Sequence, residues 1–142
     1  MNYLATKFFE EYEIAIAETN LEVLASLYSD SFMFSGPNGA QVVRKEDFLK
    51  AVPKRGEFFK SIGLTTSKIC SLEENQLDTN HLMVKSHWKI RFDKESTPPV
   101  EEQISATYIL FRQGDQLKIV FQLDHQDLVK RAAELGLLPA KN

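Results

Sequence analysis

One cysteine, Cys70, stands among the 142 residues, so no internal disulfide can form and the chain must rely on its own core. No partner that would activate a thiolate lies near it in the sequence, and Cys70 reads as a buried packing residue. Long apolar runs are missing too. Lys7, Glu10, Glu11 and Glu13 interrupt the stretch that a signal peptide would keep apolar, which excludes a secretion signal or a membrane span there. The expectation is a soluble, cytoplasmic protein. An excess of charge of one sign is also lacking: the formal charge is -3 and the pI about 5.6, which gives no electrostatic basis for binding nucleic acid or a membrane surface. His81 and His87 stand on one strand pattern roughly 20 Å apart at the usual strand rise, too far to share an ion. No metal and no cofactor is expected. Gly36, Gly39 and Gly114 have no phosphate-loop spacing and read as turn residues.

The length fits one domain spanning residues 1–142, enough to enclose a core. The strongest pattern is Ile104 to Asp124, two β-branched and aromatic runs joined at Gly114-Asp115, a pair suited to a two-residue hairpin turn. If Gln113 faces Gln116, one face carries Leu110 opposite Ile119, Tyr108 opposite Phe121 and Ala106 opposite Leu123. The other face begins with Phe111, Lys118, Ile109 and Val120 and turns polar with Thr107 opposite Gln122 and Ser105 opposite Asp124.

The remaining chain punctuates clearly. Leu4, Phe8, Tyr12 and Ala15-Ile16 recur at helical spacing. Thr19 and Glu22 have the capping-box spacing for a second helix with Leu21, Leu24, Leu27 and Tyr28 inward. Phe32 to Phe34 reads as a short strand that enters a turn at Gly36 to Gly39, Gln41 to Val43 as a returning strand, and Lys45 to about Val52 as a helix limited by Pro53. A strand is expected near 65–72. Residues 81–92 alternate, with Leu82, Val84, Trp88, Ile90 and Phe92 on one side. Glu101 and Glu102 fall where they could pair with Lys89 and Arg91, and Asp127 caps a last helix that Gly136 stops. Helices first and long antiparallel strands afterwards make an α+β fold.

In Leu21 to Gly39 (LEVLASLYSDSFMFSGPNG) and Tyr108 to Val120 (YILFRQGDQLKIV) the chain resembles the nuclear transport factor 2-like superfamily, which includes ketosteroid isomerases, scytalone dehydratase, polyketide cyclases and kinase association domains. The likeness in element order spans roughly residues 4 to 125. It implies a cone-shaped fold: a curved antiparallel sheet wrapped around the N-terminal helices, an inner pocket, a short C-terminal helix and a homodimer packed through the outer sheet face. Set beside the ketosteroid isomerases, Tyr12 matches an oxyanion-binding tyrosine and Tyr28 its support. Gly36 stands where the general base would be, and the region of Thr107 where a protonated aspartate would be. Glycine cannot move a proton, so that mechanism is not expected.

Two functions from different classes follow. In the first, a small apolar or amphipathic ligand occupies a pocket lined by Tyr28, Phe34, Trp88, Ser105, Thr107 and Gln122. Asp124 and Tyr12 are then the catalytic candidates of an isomerase, dehydratase or cyclase, since a carboxyl group in an apolar cavity can exchange a proton near neutral pH. Tyr108, Leu110, Ile119, Phe121 and Leu123 would form the dimer face. In the second, Trp88, Phe34 and Phe58-Phe59 fill the cone themselves, and the protein is a non-catalytic association module. The competing structural account of Ser105, Thr107, Gln122 and Asp124 is a solvated sheet face.

Overall fold

The computed structural model describes residues 3–94 and 98–138. In chain order the elements are α1 (Tyr3–Glu18), α2 (Leu21–Leu27), β1 (Tyr28–Gly36), β2 (Gly39–Arg44), α3 (Lys45–Ser61), β3 (Leu64–Gln76), β4 (His81–Phe92), β5 (Val100–Gln113), β6 (Gln116–Asp124) and α4 (Leu128–Glu134). The six strands make one sheet in the order β2-β1-β6-β5-β4-β3, antiparallel throughout except where β1 runs parallel to β6. A curved sheet on N-terminal helices, with a short helix at the end, is the α+β architecture that the chain's pattern implies.

Strand β4 shows why the sheet has two unlike faces. Leu82, Val84, Ser86, Trp88, Ile90 and Phe92 are buried in strict alternation with half-buried or exposed residues, as a strand's twofold side-chain period requires. Against that inner face α1 lays Phe8, Phe9, Tyr12 and Ala15, which join Leu24, Leu27, Tyr28 and Phe32 in the main core. A second cluster at one end unites Phe59 and Ile62 with Ile90, Phe92, Leu128 and Ala132.

The hairpin closes at Gln113 opposite Gln116 and keeps the expected register as far as Leu110 opposite Ile119. There it changes. Ile109 pairs with Phe121 and Tyr108 with Gln122, leaving Val120 as the extra residue of a β-bulge. One inserted residue exchanges the two faces of everything that follows it. The face that carries Tyr108, Leu110 and Ile119, expected to be the outer dimer face, packs into the core instead, at 2%, 0% and 0% exposure, and the bulge changes only the facing of β6 beyond Val120. Gln122 and Asp124 share that inner side with them. Phe121 and Leu123 face outward, and Thr107 and Ser105, expected to line a pocket, face outward with them.

Four smaller corrections have equally local causes. Helix α3 passes through Pro53 to Ser61. An interior proline costs about 3 kcal/mol, and continuing the helix buries Phe59 and Ile62 on Ile90 and Phe92, worth roughly 1.5–3 kcal/mol each. Asn20, not Thr19, caps α2, its side chain accepting from the Val23 N–H at 3.1 Å; Thr19 takes a left-handed φ of 51° instead. Cys70 is exposed, because it is the unpaired residue between Ile69 opposite Trp88 and Ser71 opposite His87. Glu102 pairs with Arg131 of α4 at 2.8 Å, and of the two glutamates only Glu101 meets Arg91, at 3.7 Å. Among the described residues no helix is long and apolar enough to cross a membrane, and no group of three or more His, Cys, Asp or Glu side chains is gathered to hold a metal.

Candidate functional site

The bulge at Val120 sets up the site, because it turns Gln122 toward the three inward tyrosines. Tyr28 on β1 donates from its hydroxyl to Gln122 Oε1 at 2.6 Å. Each phenol has one proton to give, so Tyr12, whose hydroxyl lies 3.0 Å from that of Tyr28, is the donor in their shared bond. Tyr108 in turn donates to Tyr12 at 3.4 Å. With its carbonyl engaged by Tyr28, Gln122 uses Nε2 to donate to Asp124 Oδ1 at 3.1 Å. The result is a one-way chain, Tyr108 to Tyr12 to Tyr28 to Gln122 to Asp124, in which every donor points toward the carboxyl group. Such chains polarise cooperatively in a low-dielectric interior.

The two ends of this chain differ. Its inner end is packed solid: the Tyr12 ring lies 5.6 Å from that of Tyr108 and 6.2 Å from that of Trp88, both edge-on. Trp88 donates from its indole N–H to Ser86 Oγ at 2.8 Å, and Ser86 passes its own proton to the Ala106 carbonyl at 3.0 Å. Among the described residues no buried side-chain nitrogen or oxygen lacks a partner. Burial is the main cause that raises all three phenols above their ordinary range, so these hydroxyls stay protonated at neutral pH.

At its outer end the chain reaches a cavity of about 370 Å³ between the β1–β2 turn, α3 and the start of α4. Phe34, Gly36 to Gln41, Arg55, Asp124 and Gln126 to Leu128 line it. The rim is tied by Asn38, which donates from Nδ2 to Asp127 Oδ2 at 2.8 Å, while Asp127 Oδ1 accepts from the Lys130 N–H at 3.0 Å and caps α4. Gly39 takes a φ of 130°, a conformation open to glycine and strained for other residues. Burial raises the Asp124 carboxyl above the usual carboxylate range; the Gln122 hydrogen bond opposes the rise, followed by the charges of Arg55 and His125.

Of the residues singled out from the sequence, Phe34 and Asp124 lie on this cavity wall. Tyr12, Tyr28, Trp88 and Gln122 lie behind it in the core, the first, second and fourth wired to Asp124. Thr107 is outside the sheet, its Oγ1 2.7 Å from His125 Nε2, and Ser105 uses its backbone N–H to reach Gln126 Oε1 at 2.8 Å. Arg55, Asn38, Gln41, Gln126 and Asp127 were not anticipated as lining. Asp127 and Asn38 carried a local signal as cap and turn residues, but Arg55 lies beyond Pro53, where the helix was expected to have ended.

The family model described as NTF2-like protein (DUF6841) matches residues 2–127. The chain belongs to this NTF2-like family. Solved structures share the fold of this NTF2-like protein at low identity. Aln2 from a Streptomyces species superposes with a TM-score of 0.70 at 14% identity, over 90% of this chain and 92% of that one. An NTF-2 like protein of unknown function from Shewanella oneidensis gives 0.66 at 14%, over 87% and 97%. The beta subunit of benzoate 1,2-dioxygenase from Burkholderia mallei gives 0.66 at 13%, over 89% and 90%. Comparison with curated proteins finds no match.

Proposed function

We propose that this NTF2-like protein binds a small amphipathic molecule in the cavity at the mouth of the sheet and exchanges a proton with it at Asp124. The observation that carries this reading is the one-way hydrogen-bond chain, which ends on a carboxyl group at the wall of a ligand-sized space. Isomerisation, dehydration and cyclisation each need a group that takes and returns a proton near neutral pH. A carboxyl group raised by burial is suited to that role. The ketosteroid isomerase route is not proposed, because Gly36 has no side chain to act as its base. Tyr12 and Tyr28 act through Gln122, by fixing the orientation of Asp124.

The test is native mass spectrometry for a compound retained through purification, followed by assay of that compound with Asp124→Asn. The amide keeps the shape of the carboxyl but carries no exchangeable acid proton. A loss in turnover on the order of 10²–10⁴-fold is expected. Undiminished turnover by the variant would sink the role of Asp124.

A second reading, the non-catalytic homodimeric association module, has its own support. The interior is occupied by Tyr12, Tyr28, Trp88 and Tyr108. The outer face carries an apolar row across five strands, Val42, Met33, Phe121, Ile109 and Met83, in register. Val42 and Met33 are 68% and 37% exposed. A homodimer through this row is compatible with either reading. Phe121→Glu should then convert a dimer to a monomer in sedimentation with little change in the melting of each chain, and a wild-type chain that sediments as a monomer at micromolar concentration would remove the dimer.

A further inference from the structure

The proton-transfer reading makes no use of the cation on the cavity wall. Arg55 lines the cavity with its guanidinium carbon 4.8 Å from the centroid of the Phe59 ring, a cation–π contact that uses none of its N–H donors in a hydrogen bond. Among the described residues Arg55 makes no ion pair and no side-chain hydrogen bond. Its N–H donors, a planar fork matched to a carboxylate, remain for a ligand. The other charged groups on the wall are differently placed. Asp127 has one oxygen on the α4 N-terminus and the other on Asn38, and Asp124 is bonded by Gln122. Phe34, Pro37, Ala40 and Leu128 supply the apolar part of the lining.

We propose that the cavity selects a small organic monocarboxylate with a flat apolar body, its carboxylate held by Arg55 and its opposite end toward Asp124. This rests on the reading of the cavity as a ligand site and adds the ligand's chemical class. A neutral compound would leave the Arg55 donors to water. A dianion such as a phosphate monoester would set two negative charges near Asp124 and Asp127 with one cation to offset them. Arginine and carboxylate meet through two parallel charge-assisted hydrogen bonds, which fix orientation as well as affinity. The volume of about 370 Å³ is at the small end of ligand cavities, roughly 300–1,000 Å³, and suits one ring with a short acid arm.

The experiment is a titration of the ¹⁵N-labelled full chain at physiological ionic strength with three probes: cinnamate, its neutral amide cinnamamide, and phenyl phosphate. Cinnamate should shift the backbone amides of Asn38, Gln41 and Gln126, and Arg55→Gln should weaken it by about 10–100-fold. Arg55→Lys, which keeps the charge and loses the fork, should fall between. Arg55 is exposed on α3 and glutamine is a good helix former, so both variants should fold. Cinnamamide binding as tightly as cinnamate, with Arg55→Gln without effect, would overturn the anion selection while the cavity reading survives. Phenyl phosphate binding more tightly than cinnamate would overturn the monocarboxylate. No shift from any probe at millimolar concentration would overturn this inference and the ligand-cavity reading together.

Discussion

The closed and open ends of the inner face use the same strands and one hydrogen-bond chain for opposite purposes. At the closed end Tyr108, Tyr12 and Trp88 pack ring against ring, and every polar atom serves to satisfy another. At the open end the chain stops at Asp124 beside a cavity edged by Arg55, Asn38 and Gln126. The difference teaches that the aromatic filling and the cavity proposed to take a ligand are not rivals for one space. The filling holds Gln122 in one orientation, and that orientation aims the chain at the carboxyl group.

The largest expected effect lies at the closed end. Trp88 is 7% exposed and central to the main core, so Trp88→Ala should lower stability in urea unfolding by about 3–5 kcal/mol. A loss under about 1 kcal/mol would mean that the closed end is slack and that the interior, not the mouth, is the natural ligand space. A smaller loss should follow from breaking the chain midway. Tyr28→Phe keeps the ring contacts with Phe32 and Phe48 but leaves Gln122 Oε1 without its donor and Tyr12 without its acceptor. The cost of stranding buried polar groups is about 1–3 kcal/mol, and Tyr12→Phe together with Tyr28→Phe should cost less than the sum of the two single changes, since the pair shares one bond. Full additivity would show that the two hydroxyls do not act as a chain.

How much of this was legible in the sequence divides at Val120. The turn at Gly114-Asp115, the alternation of β4, the cap at Asp127 and the family resemblance all follow from local residue chemistry, and the structure keeps them. The bulge left no comparable mark, because Ile119-Val120-Phe121 is β-branched and aromatic whichever residue is inserted. Gln122 and Asp124 were nevertheless expected inside, through the resemblance, while Tyr108 was expected outside from the unbroken register. An unbroken register keeps Gln122 and Asp124 on the face opposite Tyr108, and the extra residue at Val120 is what brings all three to the inner side. Arg55 was hidden for another reason: Pro53 is a strong local stop signal, and the burial of Phe59 and Ile62 against β4 and α4 is tertiary and invisible to the pattern of α3 alone.

The smallest effect on stability, and the one most specific to the open end, belongs to Asp124→Asn. Burial raises the Asp124 carboxyl above its ordinary value in the folded chain, so between the unfolded and folded titration points the folded state holds more protons than the unfolded state. Stability contributed by this group is therefore present at low pH and is lost as pH rises through that interval. Asparagine takes no part in this titration, keeps an oxygen to accept from Gln122 Nε2, and keeps the size of the carboxyl. The variant should accordingly match the wild type in acid and equal or exceed it at neutral pH, a divergence with rising pH that thermal unfolding at several pH values would record. A carboxylate stabilised in the folded state would give the reverse, with the variant weaker at neutral pH. That result would mean that the hydrogen bond from Gln122 and the charge of Arg55 together outweigh burial, making Asp124 a fixed anion and not a proton carrier.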